Sequence, residues 1–302
     1  MKVTITTTSF GKYDNSVLKL CEDKGLSIVL NPYSRKILPD ELVELAKDTI
    51  GLIAGTETIS EEVLLRLPRL KVISRCGAGM GNIDIKAAKK LNIALFNTPD
   101  APTGAVAELT VCLIMSLIRK VFQMDREIRK GQWNKKMGSL LNGKDIGIIG
   151  FGRIGSRVAE LLKPFGCNIA FYDPFVEASG VTKLSMEDLL RWADVVSIHV
   201  SGQDKIIGEK ELHMMKKGAW LVNVSRGGVI DEEALYISLK TQYLAGAALD
   251  VFEHEPYIGP LKDLDNVILT PHIGSYAREA RAEMERQAVE NLIKGFERAG
   301  LL

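Results

Sequence analysis

The sequence predicts two doubly wound α/β domains, each a parallel sheet with helices on both faces. Three observations carry that expectation: the length, a strand–helix alternation in the first hundred residues, and a second alternation that starts near Lys144. At 302 residues the chain exceeds what one hydrophobic core usually encloses. In the first alternation, residues 3–6, 27–30, 51–54, 71–74 and 93–96 are short β-rich runs. Residues 15–22, 41–46, 61–67 and 85–90 lie between them and carry apolar side chains at helical spacing, with Pro39-Asp40 and Ser60 as helix starts. Such alternation calls for parallel strands joined by crossover helices.

The second alternation has strand-like runs at 146–149, 168–172, 195–200, 220–224, 246–249 and 267–269. Helical stretches such as 153–162 and 232–239 separate them, which fits an open doubly wound sheet better than a barrel. A long apolar helix is expected from about 104 to 130, and another from 276 to 298. The domains are therefore read as 1–98 with the returning segment 277–302, and 99–276.

Hydrophobic content of 46% and charged content of 25% are those of a globular protein. With 39 basic against 38 acidic residues there is no electrostatic case for a nucleic-acid or membrane-surface partner. Cys21, Cys76, Cys112 and Cys167 are scattered and lack metal-ligand spacing, so neither a disulfide framework nor a metal site is expected. The amino terminus lacks the long apolar segment of a signal peptide, and a cytoplasmic setting is the expectation.

Residues 146–155 form an apolar strand running into Gly150-Phe151-Gly152-Arg153-Ile154-Gly155, followed by a helix. In G-x-G-x-x-G the first glycine makes a tight turn and the second lets the backbone approach a pyrophosphate. The third lets helix and strand pack closely, and free N–H groups at the helix start bind the anion. Asp173 stands eighteen residues beyond Gly155 at the end of the next strand. A carboxylate there accepts from ribose hydroxyls and repels a 2′-phosphate, so the expected cofactor is NAD on a Rossmann domain. A glycine turn without a ligand is the plainer alternative for the motif alone.

Three later loops each follow a strand: Asn223-Val224-Ser225-Arg226-Gly227-Gly228, the run from Asp250 to Pro256, and Thr270-Pro271-His272-Ile273-Gly274. Open α/β sheets bind ligands at the carboxyl ends of their strands. Hydride transfer at a carbonyl needs an acid/base, a cation for the substrate, and a group that poises the acid/base. These loops hold such residues. His199, His213 and His254 are read as structural, and Glu253 as a solvated acid.

With Arg75-Cys76-Gly77-Ala78-Gly79 and Val106-Ala107-Glu108-Leu109-Thr110 added, the ordered motifs resemble the D-isomer-specific 2-hydroxyacid dehydrogenases, nearest their phosphoglycerate dehydrogenase branch. The resemblance implies a flavodoxin-like substrate domain beside the Rossmann domain, and Arg226, Glu255 and His272 as the catalytic set. His272 would be the acid/base, Glu255 its orienting partner, and Arg226 the grip on the substrate. It places Gly77, Ala78 and Gly79 at the substrate carboxylate, with Arg75 near a phosphate, and sets Asp250 and Thr110 on the nicotinamide side. The expected cofactor contacts further include Arg153, Ile154, Val200, Val224, Ser225 and Gly274. A homodimer formed through Leu113, Leu117 and Val121 is also implied, with burial of that stripe inside the monomer as the alternative.

The substrate end is less sharply defined. Lys135-Lys136 offers cations, but Gly55 stands where close relatives carry an Arg, which weakens a phosphate site. 3-Phosphoglycerate ranks first and small unphosphorylated acids such as glycerate, glyoxylate or D-lactate second. With the sequence ending at Leu302, a serine-sensing regulatory domain is not expected. The alternatives from other classes are a non-catalytic NAD-responsive binding protein of the corepressor kind, and a nucleotide- or methyl-donor-binding enzyme.

Overall fold

The computed structural model describes residues 1–302, which divide into two compact units: 1–102 with 275–302, and 103–274. The first unit opens with β1 (Lys2–Ile5), α1 (Ser16–Asp23), β2 (Ser27–Leu30), α2 (Pro39–Ala46), β3 (Gly51–Ala54), α3 (Glu61–Leu65), β4 (Val72–Arg75), α4 (Ile85–Lys90) and β5 (Ala94–Asn97). The second unit follows with α5 (Thr103–Ile118), α6 (Val121–Arg129), β6 (Asp145–Ile149), α7 (Arg153–Leu162), β7 (Asn168–Tyr172), β8 (Thr182–Lys183) and α8 (Met186–Trp192). It continues through β9 (Val195–Ile198), α9 (Glu209–Met214), β10 (Trp220–Asn223), α10 (Glu232–Lys240), β11 (Gly246–Leu249) and β12 (Val267–Leu269). The closing helix α11 (Arg278–Arg298) belongs to the first unit.

The first sheet has the order β2-β1-β3-β4-β5 with every pair parallel. Its strands alternate between two cores, as a period of two demands. Leu52, Ala54 and Ile73 join Ile37, Leu42 and Leu64 on one face. Val3, Ile5, Ile53 and Val72 meet Leu292 and Phe296 of α11 on the other. Gly51 makes that second packing possible, since a Cβ there would stand 2.4 Å from the Phe296 ring.

The second sheet has the order β12-β11-β10-β9-β6-β7-β8, again wholly parallel. Ile146, Ile148, Val195 and Val222 pack with Leu113, Ile114 and Leu117 of α5. Ile149, Val196, Ile198 and Leu221 pack on the opposite face with Leu189, Leu212 and Leu235. In both sheets the order reverses next to the first strand of the unit, the topological switch point where such sheets leave a crevice.

Three expectations are corrected, and one open alternative is decided. The single helix expected over 104–130 is two, because Lys120 takes a left-handed φ of 53° that ends the first. The second sheet has a seventh strand, β8, whose two exposed polar residues carry no apolar alternation to detect. The strand expected to reach Val200 stops at Ile198, where the chain turns into the site. The Leu113, Leu117 and Val121 stripe is not one exposed face. Leu113 and Leu117 are 4% and 3% exposed within the core of the unit, and only Val121, past the break, is exposed.

Candidate active site

At the end of β6 the chain turns at Gly150, whose φ is 88°. A Cβ there would stand 2.7 Å from the carbonyl oxygen of His199, so only glycine closes this turn. A Cβ on Gly155 would stand 2.1 Å from the carbonyl oxygen of Gly150, which fixes α7 against the turn. Gly152 is different: no heavy atom lies within 4 Å of its Cβ position. The amino end of α7 is therefore open, with Arg153 exposed and Ile154 packed toward the core.

Asp173, just past β7, accepts the Phe151 amide on Oδ2 and the Phe175 amide on Oδ1, each at 2.8 Å. Each oxygen keeps a lone pair for a further donor, and the residue is partly exposed. An open helix start beside a strand-end carboxylate with acceptor capacity to spare suits the pyrophosphate and ribose of NAD. Val200 continues from β9 beside the turn, its amide nitrogen 3.0 Å from the Gly150 Cβ position. Thr110 is fully buried, and its hydroxyl donates to the Val106 carbonyl at 2.7 Å, so in this structure it packs α5 rather than presenting a free donor.

The next two strands build the loop that holds Arg226. The Asn223 side chain closes it by donating to the Arg226 carbonyl at 3.0 Å. Its Oδ1 takes the Ser225 amide at 3.0 Å and the Ser225 hydroxyl at 2.7 Å. Val224 and Ser225 are thus buried supports of the loop. Gly227 lets the loop lie on Phe252, because a Cβ would stand 1.8 Å from that residue's carbonyl oxygen. Arg226 is partly buried, with Nη1 donating to the Ser225 carbonyl at 2.6 Å. Burial pulls its pKa down, yet a guanidinium stays charged at neutral pH.

His272 sits one strand further along with a left-handed φ of 54°. Asp250, 1% exposed, holds its loop in place. Its Oδ1 accepts from the Thr270 hydroxyl at 2.6 Å and the Ile273 amide at 2.8 Å, and its Oδ2 from the Gly274 amide at 2.8 Å. Glu255 receives the Phe252 amide at 3.2 Å and meets His272 Nδ1 at 2.9 Å. A carboxylate can only accept, so Nδ1 carries the proton and Nε2 is left for chemistry. The Glu255 hydrogen bond raises the His272 pKa against the opposing effect of burial; Asp250 adds to the rise and Arg226 lowers it. An acid/base, its orienting carboxylate and a cation are thus assembled, which is the set that proton transfer at a carbonyl oxygen needs.

The other histidines stand apart. His199 Nε2 pairs with the Ser197 hydroxyl at 2.8 Å, and burial pushes its pKa down to about 3. His213 bonds the Glu209 carbonyl and leans on Tyr243. His254 and Glu253 are exposed, and the Glu253 amide bonds Glu232. No group of three or more His, Cys, Asp or Glu is arranged to hold a metal ion, and no helix is long and apolar enough to cross a membrane.

In the first unit, Arg75 ends β4 and folds back, its Nη1 donating to the Cys76 carbonyl. The guanidinium lies where a Gly77 Cβ would be, 1.4 Å from that position, while the Gly77 amide donates to Thr98 Oγ1 at 2.8 Å. Ala78 and Gly79 are half-buried, and the Ala78 carbonyl accepts from Asn97. Sequence reasoning missed several supports of these loops. Asn223 lay inside a noted motif, but its closing role needs the folded turn; Glu57, Arg281 and Glu285 had no local signal at all.

Comparison with known proteins gives the family. Residues 111–274 match the family "D-isomer specific 2-hydroxyacid dehydrogenase, NAD binding domain". The chain is 38% identical over 295 residues to a glyoxylate reductase of Korarchaeum cryptofilum, covering 90% of this chain and 89% of that one. It is 42% identical over 255 residues to a D-3-phosphoglycerate dehydrogenase of Methanocaldococcus jannaschii, covering 80% of this chain and 49% of the relative. Similar curated proteins carry the glyoxylate reductase name more often than the phosphoglycerate one. A solved protein from Thermus thermophilus superposes with a TM-score of 0.92 at 35% identity, covering 98% of this chain and 97% of that one.

Proposed function

The chain belongs to the D-isomer-specific 2-hydroxyacid dehydrogenase family, and on that premise we propose that it reduces a small unphosphorylated 2-keto acid such as glyoxylate to the 2-hydroxy acid. The observation that carries the reading is the His272–Glu255 contact at 2.9 Å beside Arg226. Bound NADH supplies the hydride that reduces the carbonyl carbon. His272 Nε2 gives its proton to the carbonyl oxygen and takes one back in the oxidative direction. Glu255 holds the ring on Nδ1 and stabilises the imidazolium, as its effect on the His272 pKa requires. Arg226 binds the substrate carboxylate and draws electron density toward the carbonyl oxygen. Gly150, Gly152, Arg153, Ile154, Gly155 and Asp173 would hold the dinucleotide, with Val200, Val224, Ser225 and Gly274 as its further contacts.

Gly77, Ala78 and Gly79 bind the substrate carboxylate through their backbone in this reading. The unphosphorylated class is favoured over 3-phosphoglycerate on two grounds. Gly55 offers no cation, and the Arg75 guanidinium is turned to the Cys76 carbonyl. A dianion wants several converging donors. The test is the loss of NADH absorbance at 340 nm with a panel of 2-keto acids. Turnover of glyoxylate, with Asp173 favouring NADH over NADPH, is the expected result. No turnover with any acid would overturn the reading.

A further inference from the structure

Asn223 ends β10 in a row of the sheet that is otherwise apolar. The register pairs it with Ile198 of β9 and Leu249 of β11, and pairs Ile198 in turn with Ile149 of β6. Ile149, Ile198 and Leu249 belong to one core cluster, and Asn223 is buried beside them at 2% exposure. A strand that only had to pack would carry a fourth aliphatic side chain here. An amide taken out of water costs free energy until it is hydrogen-bonded.

All three hydrogen bonds of this amide stay within the next three residues. Oδ1 accepts the Ser225 amide at 3.0 Å and the Ser225 hydroxyl at 2.7 Å, and Nδ2 donates to the Arg226 carbonyl at 3.0 Å. The Ser225 N–H belongs to the peptide before Ser225, and the Arg226 carbonyl to the peptide after Arg226. The Ser225–Arg226 peptide lies between them, so one side chain fixes the peptides on both sides of it. The carbonyl of that middle peptide is the one that accepts Arg226 Nη1, at 2.6 Å. Gly227 seats the far end of the loop on the Phe252 carbonyl, where a Cβ would not fit.

No carboxylate pairs with the guanidinium held in this way, and burial alone pulls its pKa down. A partly buried cation without an anion is half of an ion pair, and its N–H groups beyond Nη1 are left for an anionic ligand.

We propose that Asn223 is a positioning residue for the reaction: it aims Arg226 by fixing the peptide whose carbonyl holds Nη1, so that the remaining N–H groups meet the substrate carboxylate. This rests on the reading that Arg226 binds that carboxylate. Without the tie the carbonyl is free to turn, and a long flexible side chain must be ordered afresh each time a substrate binds. A misplacement of about 1 Å is enough to cost about 100-fold in rate.

The experiment is a double-mutant cycle on kcat/KM for glyoxylate, with Asn223→Ala and Arg226→Ala made singly and together. Oxamate, which carries the carboxylate and carbonyl of a 2-keto acid but is not reduced, is titrated by fluorescence against each single variant bound to NADH. NADH itself is titrated in the same way. N223A is expected to weaken oxamate and lower kcat/KM by about ten-fold or more, with a much smaller change in NADH affinity. In the R226A background the same substitution is expected to add almost nothing, because a residue that acts through another has no effect once the other is gone. Equal losses in both backgrounds overturn the proposal. So does an N223A enzyme that binds oxamate like the wild type, or one that loses NADH affinity to the same degree. R226A with wild-type kcat/KM removes the substrate role of Arg226 and this proposal with it, whereas a failure confined to Asn223 leaves that role standing. If N223A does not fold, Asn223→Ser leaves a hydroxyl that is too short to tie both neighbours. The same pattern is expected of it, and wild-type oxamate binding overturns the proposal.

Discussion

At the carboxyl end of the second sheet, the side chains of His272 and Glu255 are 51% and 38% exposed, and they meet at 2.9 Å. At the carboxyl end of the first sheet, Glu57 and Glu285 are 2% and 0% exposed, and Arg281 is 8% exposed. The two edges have similar parallel topology but treat charge in opposite ways. On the second, the side chains of His272 and Glu255 stay partly exposed while they bond each other. On the first, the arginines are spent on glutamate, hydroxyl and main chain, and nothing is left over. Groups that exchange protons with a ligand must stay reachable. Groups that brace the chain can be enclosed, provided that each finds partners.

The largest test of this contrast is His272→Ala. Loss of the acid/base is expected to lower kcat for keto-acid reduction by about 100-fold or more. NADH affinity, read by fluorescence titration, should stay close to wild type, because the dinucleotide turn is built elsewhere. Wild-type turnover in this variant would remove the second edge as the reacting one.

Gly155→Ala addresses the stability of the same unit. Its Cβ would stand 2.1 Å from a backbone oxygen that cannot swing aside. A loss of about 1–3 kcal/mol is expected in urea denaturation, the usual cost of overpacking. An unchanged midpoint would show that α7 can shift, and that the turn is less rigid than its contacts imply.

The smallest expected effect is in pH dependence. Glu255 raises the His272 pKa, so the imidazolium survives to a higher pH than an ordinary histidine allows. Reduction needs that proton, and kcat/KM for the keto acid should fall as pH rises through the raised value. In Glu255→Gln the descending limb should move to lower pH, and a profile that does not move would dissociate the two residues. The pair's stability contribution has the same sign: it is present in full below the unfolded histidine value and fades as pH climbs through the folded one. The half-exposure of both side chains keeps that contribution small.

Much of the second edge was legible in the sequence, because its parts are local. Gly150 to Gly155 are contiguous, and Asp173, Arg226, Glu255 and His272 each end or follow a strand that apolar patterning reveals. The first edge was not, because its partners are remote. Ser9 and Glu285 are 276 positions apart, and Thr6 and Glu57 are 51 apart. A glutamate on a helix with polar neighbours reads as a solvated face until the fold buries it. The break at Lys120 was hidden for a different reason: apolar residues continue on both sides of it, so periodicity alone spans the kink. Asp250 was visible as a residue but not as a brace, since its three donors come from a loop twenty or more positions away.

The two-residue strand β8 has a consequence for solution behaviour. An unpaired sheet margin is a template on which another chain can add a strand. Here that margin is Thr182 and Lys183 alone. The Lys183 ammonium is drawn across to the Val176 carbonyl and the Glu177 carboxylate. A margin so short and so occupied by charge gives a second molecule little to zip onto. On this side the seven-stranded sheet thus ends in a residue pair that offers a neighbouring copy little backbone to pair with.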